Sequence, residues 1–124
     1  MQSSSNNPAQ PDNRIVIGLT ERVIIKGRDE EVEATAKVDT GATKSSLDVH
    51  LAAKLKLGPI IETRLVKNAN GNKVRPIIEA CIIIRGRELC AQFTLADRSH
   101  LKYPVLLGQN ILKNGFLIDP AKEA

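Results

Sequence analysis

The sequence predicts an all-β domain with one or two short helices. Three observations carry that reading. Short aliphatic runs recur along the chain, separated by Gly-led polar turns. Residues 32–38 alternate apolar and polar with a period of two, as a half-buried strand does. Asn70-Gly71 and Arg85-Gly86 each sit between two such runs, and Asn-Gly is a strong short-range hairpin signal.

Taken in order, residues 14–19 and 22–26 are short β runs. Residues 27–31 form a polar turn, and 32–38 return as a strand, which makes a hairpin. Residues 47–57 read as a short helix, with Asp48 as its N-cap and Gly58-Pro59 as its stop. Residues 60–66 are a strand, 67–73 a polar tip holding Asn70-Gly71, and 74–84 a long returning strand. Pro76 marks an edge or bulge position, because proline has no N–H to give a ladder. Residues 87–95 come back from the Arg85-Gly86 turn. A polar loop covers 96–104, followed by a buried triplet at 105–107. Residues 109–114 make a short helix that Gly115 ends, and 116–118 form the last strand.

If Arg85-Gly86 is a two-residue loop, Cys81 falls opposite Cys90 at a non-hydrogen-bonded position, where cross-strand side chains come closest. The pair is then a disulfide or two reduced thiols, and the redox compartment decides which. A zinc site built from Cys81, Cys90, His50 and His100 is disfavoured, since no ligand pair has zinc spacing. His50 reads as an exposed or half-packed histidine.

At 124 residues and 13.5 kDa the chain makes one domain, with room for a moderate core. That core is aliphatic, because the aromatic residues are only Phe93, Phe116 and Tyr103. Few aromatics also argue against single-stranded nucleic-acid binding, which needs stacking platforms. The net charge of +4 comes from scattered basic residues interleaved with acids, so no nucleic-acid patch is indicated. No apolar stretch approaches the ~18 residues that a membrane span needs. Residues 1–13 read as a disordered polar leader, 14–120 as the domain and 121–124 as a tail. The leader lacks the charged and apolar regions of a signal peptide. The compartment is cytoplasmic if Met1 is the true start, and periplasmic if a signal peptide has been removed.

Chemistry concentrates at Asp39-Thr40-Gly41-Ala42. A carboxylate placed just after a buried strand, at a turn with free backbone N–H groups, is positioned to be desolvated and tuned. Gly41 permits a sharp turn and a close approach of amides, and Thr40 offers a short hydroxyl. The bland alternative is a hairpin turn with a solvated aspartate.

A hydrophobic strand, then Asp39-Thr40-Gly41-Ala42, then a small polar turn resembles the signature of retropepsin-like aspartic peptidases. The run Val105-Leu106-Leu107-Gly108-Gln109-Asn110-Ile111-Leu112 resembles their late strand–glycine–helix element, and the Asn70-Gly71 hairpin stands where their flap does. With Leu95-Ala96-Asp97-Arg98-Ser99, Tyr103-Pro104 and Phe116-Leu117-Ile118-Asp119-Pro120, the chain is similar from Ile15 to Pro120 to a bacterial family. That family is labelled an ATP-dependent zinc protease or a RimK-associated retropepsin-like protein.

The resemblance implies a closed acid-protease barrel and a homodimer in which each chain gives one catalytic Asp39, with Thr40 and Gly41 shaping the turn. It implies substrate contacts from Ala42, Asn68, Asn70 and Gly71, and a peptide or protein substrate. The family label also hints at a functional link to an ATP-grasp ligase. No zinc-protease motif and no phosphate loop accompany that label, so neither metal nor other cofactor is expected. Thr43 and Gln109 stand where viral members typically carry an acid and an arginine, so a neutral contact replaces a charge pair there. Lys44 adds a cation close to the acid in sequence. The competing reading is a non-catalytic module of the same fold that binds a peptide or partner.

Overall fold

The computed structural model describes residues 13–69 and 71–123. The leader expected over residues 1–13 lies outside them, except for Asn13, and so does Asn70. The side chain of Asn68 is likewise outside the description.

Strand β2 (Thr20–Lys26) pairs antiparallel with β3 (Glu31–Val38). Strand β3 lies parallel to β8 (Val105–Leu107), which lies antiparallel to β4 (Ser45–Asp48). Strand β4 runs parallel to β7 (Arg87–Ala96), and β7 pairs antiparallel with β6 (Gly71–Ile84). Strand β6 then returns to β2, from Val23↔Ile84 to Lys26↔Cys81. These six strands close a barrel. Strand β5 (Ile60–Asn68) pairs only with β6 and forms a hairpin that reaches beyond the closure. A separate parallel pair joins β1 (Ile15–Ile17) to β9 (Phe116–Ile118). The all-β barrel with short helices is thus the fold the sequence implies.

Period-two alternation decides what faces inward. Glu21, Val23 and Ile25 of β2 are buried, as are Ile78, Ala80, Ile82 and Ile84 of β6 and Phe93 and Leu95 of β7. Leu47, Val105 and Leu107 complete the inner wall, and Leu55, Ile111 and Leu112 seal it. The core is aliphatic apart from Phe93 and Phe116, and each fully buried side chain contributes roughly 1.5–3 kcal/mol. Glu21 is a charge buried among them. Its carboxylate is met by Arg85 Nε at 3.3 Å and accepts a long hydrogen bond from Gly18 N at 3.4 Å.

Three sequence expectations are corrected. The helix is shorter than 47–57, since Leu47 and Asp48 belong to β4 and α1 runs from Val49 to Lys54. Asp48 caps it as expected, its Oδ2 accepting from Leu51 N at 3.1 Å. The 67–73 tip is not a seven-residue loop, because the strands stay paired up to Asn68↔Gly71. Residues 45–48, where the sequence suggested no strand, are one, held by β7 and β8 on either side. The Arg85-Gly86 turn matches its expectation. Both residues have positive φ (52° and 80°), as a two-residue hairpin turn requires, and Ile84 faces Arg87. Cys81 therefore faces Cys90, and the two form a disulfide on the outer face of the barrel. Pro76 pairs with Thr63 where β6 has only β5 beside it, an edge position.

Candidate active site

Asp39 follows the last residue of β3, and its N–H donates to Leu107 O at 2.9 Å, so β8 fixes where the turn begins. The chain then folds back on the acid. Gly41 N donates to Asp39 Oδ1 at 2.9 Å, and Ala42 N donates to Asp39 O at 3.3 Å. These are the close backbone amides expected from Gly41. Asp39 Oδ2 accepts no hydrogen bond among the described residues, and Asp39 is half-buried while Thr40 is exposed. One carboxylate oxygen is oriented by the turn, and the other has no partner among the described residues.

The turn is locked by the segment opening α2 (Gln109–Leu112). Gln109 N donates to Ala42 O at 2.8 Å, Asn110 N to Thr43 O at 3.2 Å, and Gln109 Nε2 to Thr40 O at 2.7 Å. Thr43 thus meets this segment through its carbonyl, while the Gln109 side chain reaches Thr40. Beneath the turn, fully buried Ser45 accepts from Gly108 N at 2.9 Å and donates to Asn110 Oδ1 at 2.8 Å. The same Oδ1 accepts from Ser45 N at 3.0 Å, and Asn110 Nδ2 donates to Gln92 O at 2.9 Å. A Cβ on Gly108 would collide with the Lys44 carbonyl oxygen, so only glycine lets the two segments lie this close. Lys44 donates to Gln92 Oε1 at 2.7 Å.

Four of the expected site residues, Asp39, Thr40, Gly41 and Ala42, are therefore one unit. Asn68 and Gly71 are register partners at the tip of the hairpin, away in sequence from that unit. Ser45, Asn110 and Gln92 were not expected. Their signal was faint: one hydroxyl in a hydroxyl-rich run, and amides in polar surroundings.

His50 Nδ1 lies 3.6 Å from Asp48 Oδ2 and 3.9 Å from Asp97 Oδ1, on an exposed surface. Asp48 there already accepts from Leu51 N and, at 2.8 Å, from Arg98 N. Asp97 accepts from Ser99 Oγ at 2.5 Å and Ser99 N at 3.0 Å. Those two bonds hold its carboxyl below the ordinary aspartate range, with a smaller pull from His50 and His100.

Residues 50–124 match the family model described as RimB-like, retropepsin-like aspartic endopeptidase RimB. The matched span begins beyond the Asp39 turn. No curated protein matches the chain. Among solved structures, a protein of unknown function from Legionella pneumophila is 22% identical, with a TM-score of 0.61 over 86% of this chain and 94% of that one. The EIAV protease in complex with the inhibitor HBY-793 is 22% identical, with a TM-score of 0.61 over 89% and 92%. The simian foamy virus (mac) protease is 23% identical, with a TM-score of 0.57 over 76% and 91%. These likenesses concern the fold.

Proposed function

The chain belongs to the RimB-like family of retropepsin-like aspartic endopeptidases, and we propose that it hydrolyses peptide bonds as a homodimer built around two copies of Asp39. The observation that carries this reading is the Asp39 turn, with one carboxylate oxygen held by Gly41 N and the other open. Direct attack of a carboxylate-activated water on a peptide bond uses two carboxyl groups, one ionised and one protonated. Each chain offers one such acid at this turn, so a two-fold axis supplies the second.

In this mechanism the ionised Asp39 takes a proton from water as the water oxygen attacks the scissile carbonyl carbon. Asp39 of the second copy, protonated, gives its proton to the carbonyl oxygen. The tetrahedral intermediate collapses as the C–N bond breaks and a proton passes to the leaving amine. Thr40, exposed beside the acid, is placed to brace its counterpart in the second copy. Ala42, Asn68, Asn70 and Gly71 are assigned to the substrate, the hairpin folding over it and excluding water. Support for a second copy comes from apolar side chains that the single chain leaves exposed: Val16 and Leu117 on the β1–β9 pair, and Leu65 and Val74 on the hairpin.

The test is Asp39→Asn. Cleavage of a denatured protein should fall by at least about 100-fold, with the circular dichroism spectrum and the dimer mass by light scattering unchanged. Full activity in that variant, or a strictly monomeric active protein, overturns the reading. Peptide binding without cleavage by the wild-type protein would instead favour the non-catalytic module.

A further inference from the structure

Strand β4 runs parallel to β7 with Asp48 opposite Ala96, so the chain leaves both strands at the same end of the barrel. Asp48 there caps α1, and Asp97 opens the loop that follows β7. His50, in the first turn of α1, comes beside both carboxylates. Its Nδ1 lies 3.6 Å from Asp48 Oδ2 and 3.9 Å from Asp97 Oδ1, and one ligand atom from each of the three residues lies within 4.8 Å of the others. Both distances to Nδ1 exceed the reach of about 3.2 Å for an N–H···O hydrogen bond, so the imidazole is bonded to neither acid.

Donors outside the trio hold each acid in place. Asp48 Oδ1 accepts from Arg98 N and Oδ2 from Leu51 N, while Asp97 Oδ1 accepts from the backbone and hydroxyl of Ser99. Hydrogen bonds of this kind orient metal ligands. Asp97 Oδ2 accepts none among the described residues. The competing cation is Arg98, but its backbone N–H rather than its guanidinium meets Asp48, and its Nε donates to Tyr103 O at 3.0 Å. Around an ion with bonds of about 2.1 Å, tetrahedral ligand atoms stand about 3.4 Å apart. Closing from 3.6 and 3.9 Å takes only small rotations of His50 and Asp97, and both side chains are exposed and free to make them. One imidazole with two carboxylates is a mixed nitrogen and oxygen set. It suits zinc or manganese better than calcium or magnesium, which favour oxygen ligands throughout.

We propose that Asp48, His50 and Asp97 form a binding site for a divalent transition-metal ion, foremost zinc, with water filling the remaining positions. The ion clips the loop over residues 96–104 to the start of α1. That loop leads into β8, whose Leu107 O accepts from Asp39 N, so the clip steadies the approach to the candidate active site and takes no part in its chemistry. The assignment does not depend on what Asp39 does.

The experiment uses the full chain without an affinity tag, stripped with a chelator and kept free of reductant so that Cys81 and Cys90 stay bonded to each other. Isothermal titration with zinc chloride should give one ion per chain, and zinc should raise the Tm in scanning calorimetry. His50→Ala and, independently, Asp97→Ala should each weaken zinc binding by at least about tenfold with the circular dichroism spectrum unchanged. Asp48 is left in place because it caps α1. Cobalt(II) in place of zinc locates the ion, since its paramagnetism should shift the NMR signals of His50 and Asp97 far more than those of Asp39 or the disulfide. Absence of zinc binding by the wild-type protein, unchanged binding in either variant, or cobalt shifts centred elsewhere would overturn the proposal.

Discussion

Gln109 donates its side-chain amide to the carbonyl of Thr40 at 2.7 Å, tying the start of α2 to the turn that carries Asp39. The bond is neutral, so it braces the turn without placing a formal charge beside the acid. Replacing Gln109 with leucine should cost about 1 kcal/mol. Replacing it with glutamate should cost more, because a carboxylate would then face a carbonyl oxygen. Urea melts of the two variants test the order, and equal midpoints would remove the bond from the account.

Ser45→Ala should be costlier than its size suggests. The hydroxyl is fully buried and serves both Gly108 N and Asn110 Oδ1, so its loss strands a buried amide. The expected destabilisation is about 1–3 kcal/mol, or roughly 3–6 °C in Tm per kcal/mol for a domain of this size. Gly108→Ala should do worse, since its Cβ meets the Lys44 carbonyl. Differential scanning calorimetry decides both, and a wild-type Tm for Gly108→Ala would contradict the close approach described above.

The Cys81–Cys90 bridge closes a short ring within one hairpin. By ring size alone, opening it should cost about 2–3 kcal/mol. Denaturation with and without a dithiol reductant, alongside the Cys81→Ser/Cys90→Ser double variant, measures it. Reduction and double substitution should agree, and the double variant should be indifferent to reductant.

Asp97 gives a pH signature. Its carboxyl titrates below the ordinary range because Ser99 donates to it twice. The folded pKa lies below the unfolded one, so this contribution is fully present above the unfolded aspartate value near ~3.9 and fades as pH falls through the folded value. Carbon-detected NMR should find Asp97 titrating low in the wild-type protein and moving upward in Ser99→Ala. No movement would show that the serine is not the cause.

Much of this fold was legible because strand periodicity and tight turns are local. The Arg85-Gly86 turn sets the register that places Cys81 opposite Cys90, and a slip of one residue would have put every side chain on the wrong face. Whether the two sulfurs join was not legible, since the redox compartment decides it rather than the pattern. Strand β4 was missed for another reason. Ser45-Ser46-Leu47-Asp48 has weak strand propensity, and it is extended because β7 and β8 flank it from distant parts of the chain. The Asp39 turn could be found from its motif, but not the serine–asparagine network beneath it. Its partners lie far apart in sequence, at Ser45, Gln92 and Asn110.

The passage of β6 from one partner to two has a mechanical consequence. Up to Pro76 the strand has only β5 beside it, and from Ile77 onward β7 grips it as well, with Ile77 and Ile78 sunk in the core. The hairpin is therefore a lever with its fulcrum at Pro76–Ile77. From Gly71 to Pro76 the arm is about 17 Å long at the rise of a strand, so a tilt of about 15° at the fulcrum sweeps the tip through roughly 4 Å. Opening and closing over whatever lies beneath would then need no rearrangement of the barrel, only a small rotation where a proline leaves the ladder one donor short.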